Sequence, residues 1–232
     1  VMNVIVAESL RKYADILEKE DDFDAAVDRI TRETFSEHQR IIFNGDNYTV
    51  KWATEAKERG LLNLSSTVDA AEYLTKSGNL ELFKDHCVLS EVEARSRHEI
   101  KLDEYSKNIN IEALTMIDMA KTAIVPAVSA YSGDLADTAL KKKELGISAK
   151  ADIDILNVIS TLAEELNQRI MNLEGYMEQT ALLKDHEKAR AFHDGIIPRM
   201  NDLRAVADEL ETYVAKKYWP FPSYGDMLFS IK

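Results

Sequence analysis

Three observations on the sequence predict an all-α fold. Proline and glycine are scarce, four and eight in 232 residues, too few for the many tight turns of a sandwich or barrel. Apolar residues recur at steps of three and four over most of the length, the period of a helix face. Between these stripes lie helix start and stop signals, Ser or Thr before a stripe and Gly after it. The expected architecture is a long-helix bundle of three or four long helices, preceded by several shorter helices, with an extended aromatic C-terminal tail. The expected divisions are residues 1–89, 90–217 and 218–232.

The first helix is predicted over residues 2–20, with Val4, Ile5, Leu10, Tyr13, Ala14 and Leu17 on its inner face. It is in helical register from Val1, with no cap and no initiating Met, so the chain is expected to be a piece of a longer protein. A second helix is predicted over 23–43, ended by Asn44-Gly45-Asp46-Asn47, residues tolerant of left-handed backbone. Thr49 is placed to cap a short helix closed by Gly60, and Ser66 with Asp69 to open another to about residue 75. Ser77-Gly78-Asn79 reads as a turn before a helical stretch over 80–86.

Ser90 with Glu93 forms a capping box that opens a very long helix over 90–131. Along it Leu102, Tyr105, Ile109, Ala113, Met116, Ala120, Ile124, Val128 and Tyr131 make one stripe, and Ile111, Leu114 and Ile117 widen it. An apolar surface that wide predicts a centre wrapped by other helices. Ser132-Gly133-Asp134 is a candidate interruption, with helix resuming over 135–145 and closed by Gly146. Ser148 is placed to cap the next, whose Ile155, Ile159, Leu162, Leu166, Ile170, Leu173 and Met177 share a face. A last helix over 187–217 carries Ala189, Phe192, Ile196, Met200, Leu203, Ala207, Leu210 and Val214, a near-heptad seam that predicts bundle packing. Pro126 and Pro198 each remove a backbone donor inside these patterns, so both helices are expected to kink or break.

The net charge of -12 repels phosphate backbones and anionic membranes, which argues against nucleic acid and membrane surfaces as partners. No apolar run approaches the roughly 20 residues of a membrane span, and the single cysteine, Cys87, has no intrachain partner. A reduced, cytoplasmic setting is expected, with Cys87 a buried structural thiol.

Helical bundles often house metals, yet no histidine among His38, His86, His98, His186 and His193 has Glu three residues before it, as a di-iron site requires. His98-Glu99 lacks the second zinc-binding histidine, since position 102 is Leu. His186 and His193 want a third ligand. The acidic run from Asp15 to Asp28 fails as a calcium loop, with Ala26 and Val27 where an oxygen ligand and Gly belong. Arg95, Arg97, His98 and Lys101, like Lys141-Lys142-Lys143, read as solvated helix faces and ends. No catalytic, cofactor-binding or metal residue is therefore predicted. The candidate functional residues are interface anchors, Trp219, Phe221, Tyr224 and Phe229, aromatic side chains close together in a segment broken by Pro220 and Pro222. A pocket in the same molecule and one across an interface suit them equally.

Five segments carry a resemblance: the turn IIFNGDNY at 41–48, WATEAKERGLLNL at 52–64, INIEALTMIDMAK at 109–121, LRAVADELE at 203–211 and YWPFPSYGDMLF at 218–229. In this order they resemble the C-terminal part of type III glutamine synthetases, the large bacterial form, over essentially the whole chain. The family's turn often carries a second glycine near Asp46-Asn47, which is missing here. The resemblance implies a parent enzyme that ligates ammonia to glutamate with ATP and a divalent metal, Mg or Mn. It also implies a homo-oligomer and an upstream catalytic domain as partners. No motif of the family's catalytic site matches in this chain, so the expected role is structural support and subunit contacts. The alternative reading is a stand-alone helical adaptor that docks a partner through the aromatic tail.

Overall fold

A computed structural model of the chain describes residues 1–229, the Asp185 side chain excepted. All regular structure among the described residues is helical. The chain divides into two compact units, one of Val1–Leu102 and one from Asp103 onward.

The first unit holds α1 (Met2–Leu17), α2 (Phe23–Glu37), α3 (Val50–Glu58), α4 (Thr67–Glu72), α5 (Ser77–Asp85) and the start of α6 (Glu91–Met119). Side-chain caps set the starts: Asp22 accepts from Ala25 N–H, Thr49 from Trp52 N–H and Ser66 from Asp69 N–H. At α6 the predicted box is present, with Ser90 Oγ accepting from Glu93 N–H (3.3 Å) and Glu93 accepting from Ser90 N–H (2.8 Å). Val4, Ala26, Ile30, Ala56, Val68, Ala71 and Phe83 are buried, and the Tyr13 hydroxyl meets Thr34 Oγ1 at 3.2 Å between α1 and α2.

Helix α2 stops at Glu37, six residues before its predicted end. The apolar period runs on, but Ile41 and Ile42 are exposed, so no burial rewards continuing. A tertiary cluster takes over instead. Phe43 lies 4.0 Å from Trp52, ring to ring, and Arg59 Nη1 donates to the carbonyls of Arg40 and Ile42 (3.2 and 2.9 Å). The Ser77-Gly78-Asn79 turn is likewise the first turn of α5, its Asn79 amide donating to Tyr73 C=O (2.5 Å).

Left-handed backbone occurs at Gly60 (φ 72°), Gly146 (φ 70°) and Cys87 (φ 52°), and not within the turn 44–47. All three end a helix in the same way. The left-handed residue donates to the carbonyl three back and its successor to the carbonyl five back, as in Cys87 to Lys84 (3.0 Å) and Val88 to Phe83 (2.9 Å). Cys87 thus holds a position that usually takes glycine, and it is exposed. The expected buried thiol is overturned by that role: a residue just past a helix end points its side chain to solvent.

In the second unit α6 runs through a wide turn, Ala120–Ile124, into α7 (Val125–Glu144). Then come α8 (Lys150–Thr180), α9 (Asp185–Ala191), a second wide turn at Phe192–Ile196, α10 (Ile197–Tyr213) and a short α11 (Tyr224–Leu228). Helix α8 packs along both α7 and α10. The core joins Ala113, Ile117, Ala120, Ile124 and Val128 to Ile159, Leu162, Leu166, Ile170 and Leu173, and to Phe192, Ile196, Leu203, Val206, Leu210 and Val214. Each large side chain buried this fully contributes about 1.5–3 kcal/mol.

The prolines do not break their helices. In both wide turns hydrogen bonds reach back five residues, Val125 N–H to Ala120 C=O and Ile197 N–H to Phe192 C=O, and Pro126 and Pro198 follow directly. The π-type turn opens the ladder just where the next nitrogen has no hydrogen, and it relieves the ring's clash with the preceding turn. Nor does Gly133 interrupt α7: with Val128 buried and Tyr131 and Leu135 packed on the core, burial outweighs the roughly 1 kcal/mol that a helical glycine costs. The predicted all-round wrapping of the central helix is corrected too. Ile117 is buried, but Ile111 and Leu114 are 62% and 53% exposed, so its second apolar row faces solvent. No helix among the described residues is long and apolar enough to cross a membrane.

Candidate functional site

The aromatic tail divides into an inner and an outer half. After Val214 leaves the helix with extended backbone, Tyr218 and Trp219 N–H both donate to Ala215 C=O (2.8 and 3.3 Å), a tight turn that folds the chain back. Tyr218 then packs on Tyr131 of α7, ring centroids 5.3 Å apart, and its hydroxyl donates to Asp134, with Lys217 Nζ 3.4 Å from the same carboxylate. Trp219 and Phe221 meet edge to face at 6.2 Å, half-buried against the core. These two anchors therefore fill a groove of their own bundle.

The outer half is not extended, as predicted, but helical. Ser223 Oγ accepts from Asp226 N–H while Asp226 accepts from Ser223 N–H (2.9 Å), a capping box that opens α11. Lys216 Nζ lies 2.6 Å from Asp226. That ammonium first, then the Ser223 donors, hold the Asp226 carboxyl at about 2, below its ordinary 3.8. Tyr224 opens this helical turn and Phe229 follows its end, and the two are 81% and 80% exposed. Local capping explains why this stretch is helical without burying its rings.

The other residues weighed from the sequence are dispersed among local partners. Asp22 caps α2, Glu20 pairs with Arg29 (2.5 Å) and Asp28 with Arg32 (3.6 Å). Arg95 pairs with Glu91 (2.7 Å), Lys141 with Asp137 (3.8 Å) and Lys142 with Asp152 (2.6 Å). His193 Nδ1 contacts its neighbour Asp194 (2.6 Å). Among the described residues no group of three or more His, Cys, Asp or Glu is placed to hold a metal ion.

One charged cluster went unseen in the sequence because its members are far apart in it. Glu8 on α1 meets His86 Nε2 at 2.9 Å, just beyond α5, and Arg11 Nη2 at 2.8 Å. The Arg11 guanidinium, then His86, pull the Glu8 carboxyl from 4.5 to about 2. A carboxyl whose pKa is lower in the folded state stabilises the fold above its unfolded value and loses that contribution as pH falls from about 4.5 to about 2. The expected result is a melting temperature that declines across this window, with a shallower decline in Glu8→Gln. Parallel curves for the two proteins in thermal denaturation from pH 6 to 2 would refute it.

A second feature missed in the sequence is a cleft of about 540 Å³ between α8 and α10, lined by Arg169, Asn172, Tyr176, Gln179, Arg199 and Asp202 among others. It borders the second wide turn. Gly195 in that turn lies against the Tyr176 ring with no room for a Cβ. The Arg199 guanidinium lies over the Tyr176 ring, 3.8 Å from its centre, and its Nη1 donates to Gly195 C=O (2.9 Å).

The family model for the glutamine synthetase C-terminal domain matches residues 26–143. The chain is 34% identical to the type-3 glutamine synthetase of Dictyostelium discoideum, over 99% of this chain and 32% of that protein. It is 33% identical to a glutamine synthetase of Butyrivibrio fibrisolvens, over 91% of this chain and 31% of that protein. A Bacteroides fragilis glutamine synthetase is 26% identical over 89% and 29%. The chain thus spans about a third of the length of the curated relatives it matches, and one of these relatives carries the type-3 form outside the bacteria. An all-helical chain whose matched segment starts in α2 and ends in α7 belongs to the glutamine synthetase C-terminal domain family.

Proposed function

We propose that the chain is the helical C-terminal region of a type-3 glutamine synthetase and serves it as scaffold and as subunit contact, without catalytic residues of its own. The observation that carries this reading is the alignment of nearly the whole chain with only a third of proteins named glutamine synthetase. The parent would ligate ammonia to glutamate in the cytoplasm, with ATP and Mg or Mn held by its remaining two thirds. Placing the metal in those two thirds is supported by the described residues here, among which no group of three or more His, Cys, Asp or Glu is placed to hold an ion. Support for the contact role comes from apolar side chains turned outward on ordered helices: Tyr224 and Phe229 on the tail, Ile111 and Leu114 on α6.

Two measurements test it. The chain alone should hydrolyse no ATP in a glutamate- and ammonia-dependent way above a no-protein control; turnover there removes the non-catalytic assignment. In the full-length parent, the double substitution Tyr224→Ala and Phe229→Ala should shift the mass measured by light scattering towards smaller species. An unchanged mass removes the tail from the subunit contact.

A further inference from the structure

We propose that the cleft between α8 and α10 binds a small organic carboxylate, with Arg199 as its principal ligand. Three observations carry the proposal. The first is a prepared cation. The Arg199 guanidinium is fixed by its stack on Tyr176 and by the Nη1 bond to Gly195 C=O, and among the described residues no carboxylate lies within ion-pair distance of it. Stacking occupies the face of the group and leaves its in-plane N–H edge, the geometry that receives a planar carboxylate through two parallel hydrogen bonds.

The second is an orphaned donor on a residue that lines the same cleft. Arg169 pairs through Nη2 with Glu165 (2.7 Å) and through Nη1 with Asp202 (3.7 Å), yet its Nε is buried with no acceptor. A buried N–H without a partner costs about 1–3 kcal/mol, and an anion in the cleft is one way to relieve it. The third is the charge and size of the site. Arg169 is answered by Glu165 and Asp202, which leaves Arg199, among the described residues, as the cation of the lining with no carboxylate partner, on a chain of net charge -12. A monoanion balances that, whereas a doubly charged phosphate meets Asp202 with charge unspent. The exposed amides of Asn172 and Gln179 supply hydrogen bonds for a second polar group on the ligand, and about 540 Å³ suits a small molecule. The wide turn is what makes the cleft, since it brings the Gly195 carbonyl to Arg199 and leaves Tyr176 flush against the backbone.

The test is a titration of the 232-residue chain with sodium lactate, sodium acetate, inorganic phosphate and chloride at matched ionic strength, followed by amide nuclear magnetic resonance. Lactate and acetate are expected to move the Gly175 and Gly195 signals saturably, with Kd on the order of 1 mM for lactate, and to leave Gly60 unmoved. Arg199→Ala should weaken this at least tenfold. Arg199→Lys keeps the charge and the stem and should fold as the parent does, and it should weaken binding similarly because an ammonium lacks the planar fork. Shifts no larger than those from chloride, equal saturation by phosphate, or undiminished binding in Arg199→Lys would each overturn the proposal.

Discussion

Phe192→Ala is expected to destabilise the chain by about 3–5 kcal/mol, the range for emptying an aromatic core site. Phe192 is 2% exposed and belongs to the core that joins all three long segments of the second unit. It also opens the second wide turn, where its carbonyl accepts the five-residue hydrogen bond from Ile197. Truncation therefore leaves a void beside the least regular backbone of the helix, where the ladder has no spare bonds with which to close around it. Denaturant unfolding of the two proteins measures the difference; a loss under 1 kcal/mol would mean that the turn collapses into the space and that the core is softer than its burial indicates.

Gly195→Ala is the second large effect, about 1–3 kcal/mol. Its added methyl would overlap Cε1, Cζ and the hydroxyl oxygen of Tyr176, and helix backbone on one side leaves the ring as the part that must move. Once displaced, Tyr176 forfeits the Arg199 stack, so the cost combines lost packing with a freed cation. A double-mutant cycle isolates this: in a Tyr176→Ala background the same substitution should cost under about 0.5 kcal/mol. Equal costs in both backgrounds would show that the alanine disturbs the wide turn itself and not the ring.

Much of this architecture was legible in the sequence because it follows from local rules. Thr49, Ser66 and Ser90 cap helices where they were expected to, Gly60 and Gly146 close them, and the stripe from Ala189 to Val214 lies along the core. The wide turns left no distinct trace: the steps of four at Met116, Ala120, Ile124 and Val128 and at Phe192, Ile196 and Met200 recur in ordinary helix at Leu162, Leu166 and Ile170. What stayed hidden depends on meetings across distance. The early end of α2 follows from Arg59 reaching the Arg40 and Ile42 carbonyls. The exposure of Ile111 and Leu114 depends on how many helices surround α6, which periodicity does not count. Of the four aromatic anchors, apolarity marked all equally; only the return of the chain at Ala215 separates Trp219 and Phe221, laid on the bundle, from Tyr224 and Phe229, turned away.

A helix normally answers the gain of one residue by rotating everything downstream by about 100°, which would carry a core face out to solvent. A wide turn absorbs the extra residue within a single loop of backbone, and the helix beyond it keeps its bearing. The two such turns, at Ala120–Ile124 and Phe192–Ile196, are thus the places where this bundle tolerates a change in chain length without being re-registered. Relatives that gain or lose a residue inside their long helices should do so there, trading a wide turn for an ordinary one while the seams on either side stay matched.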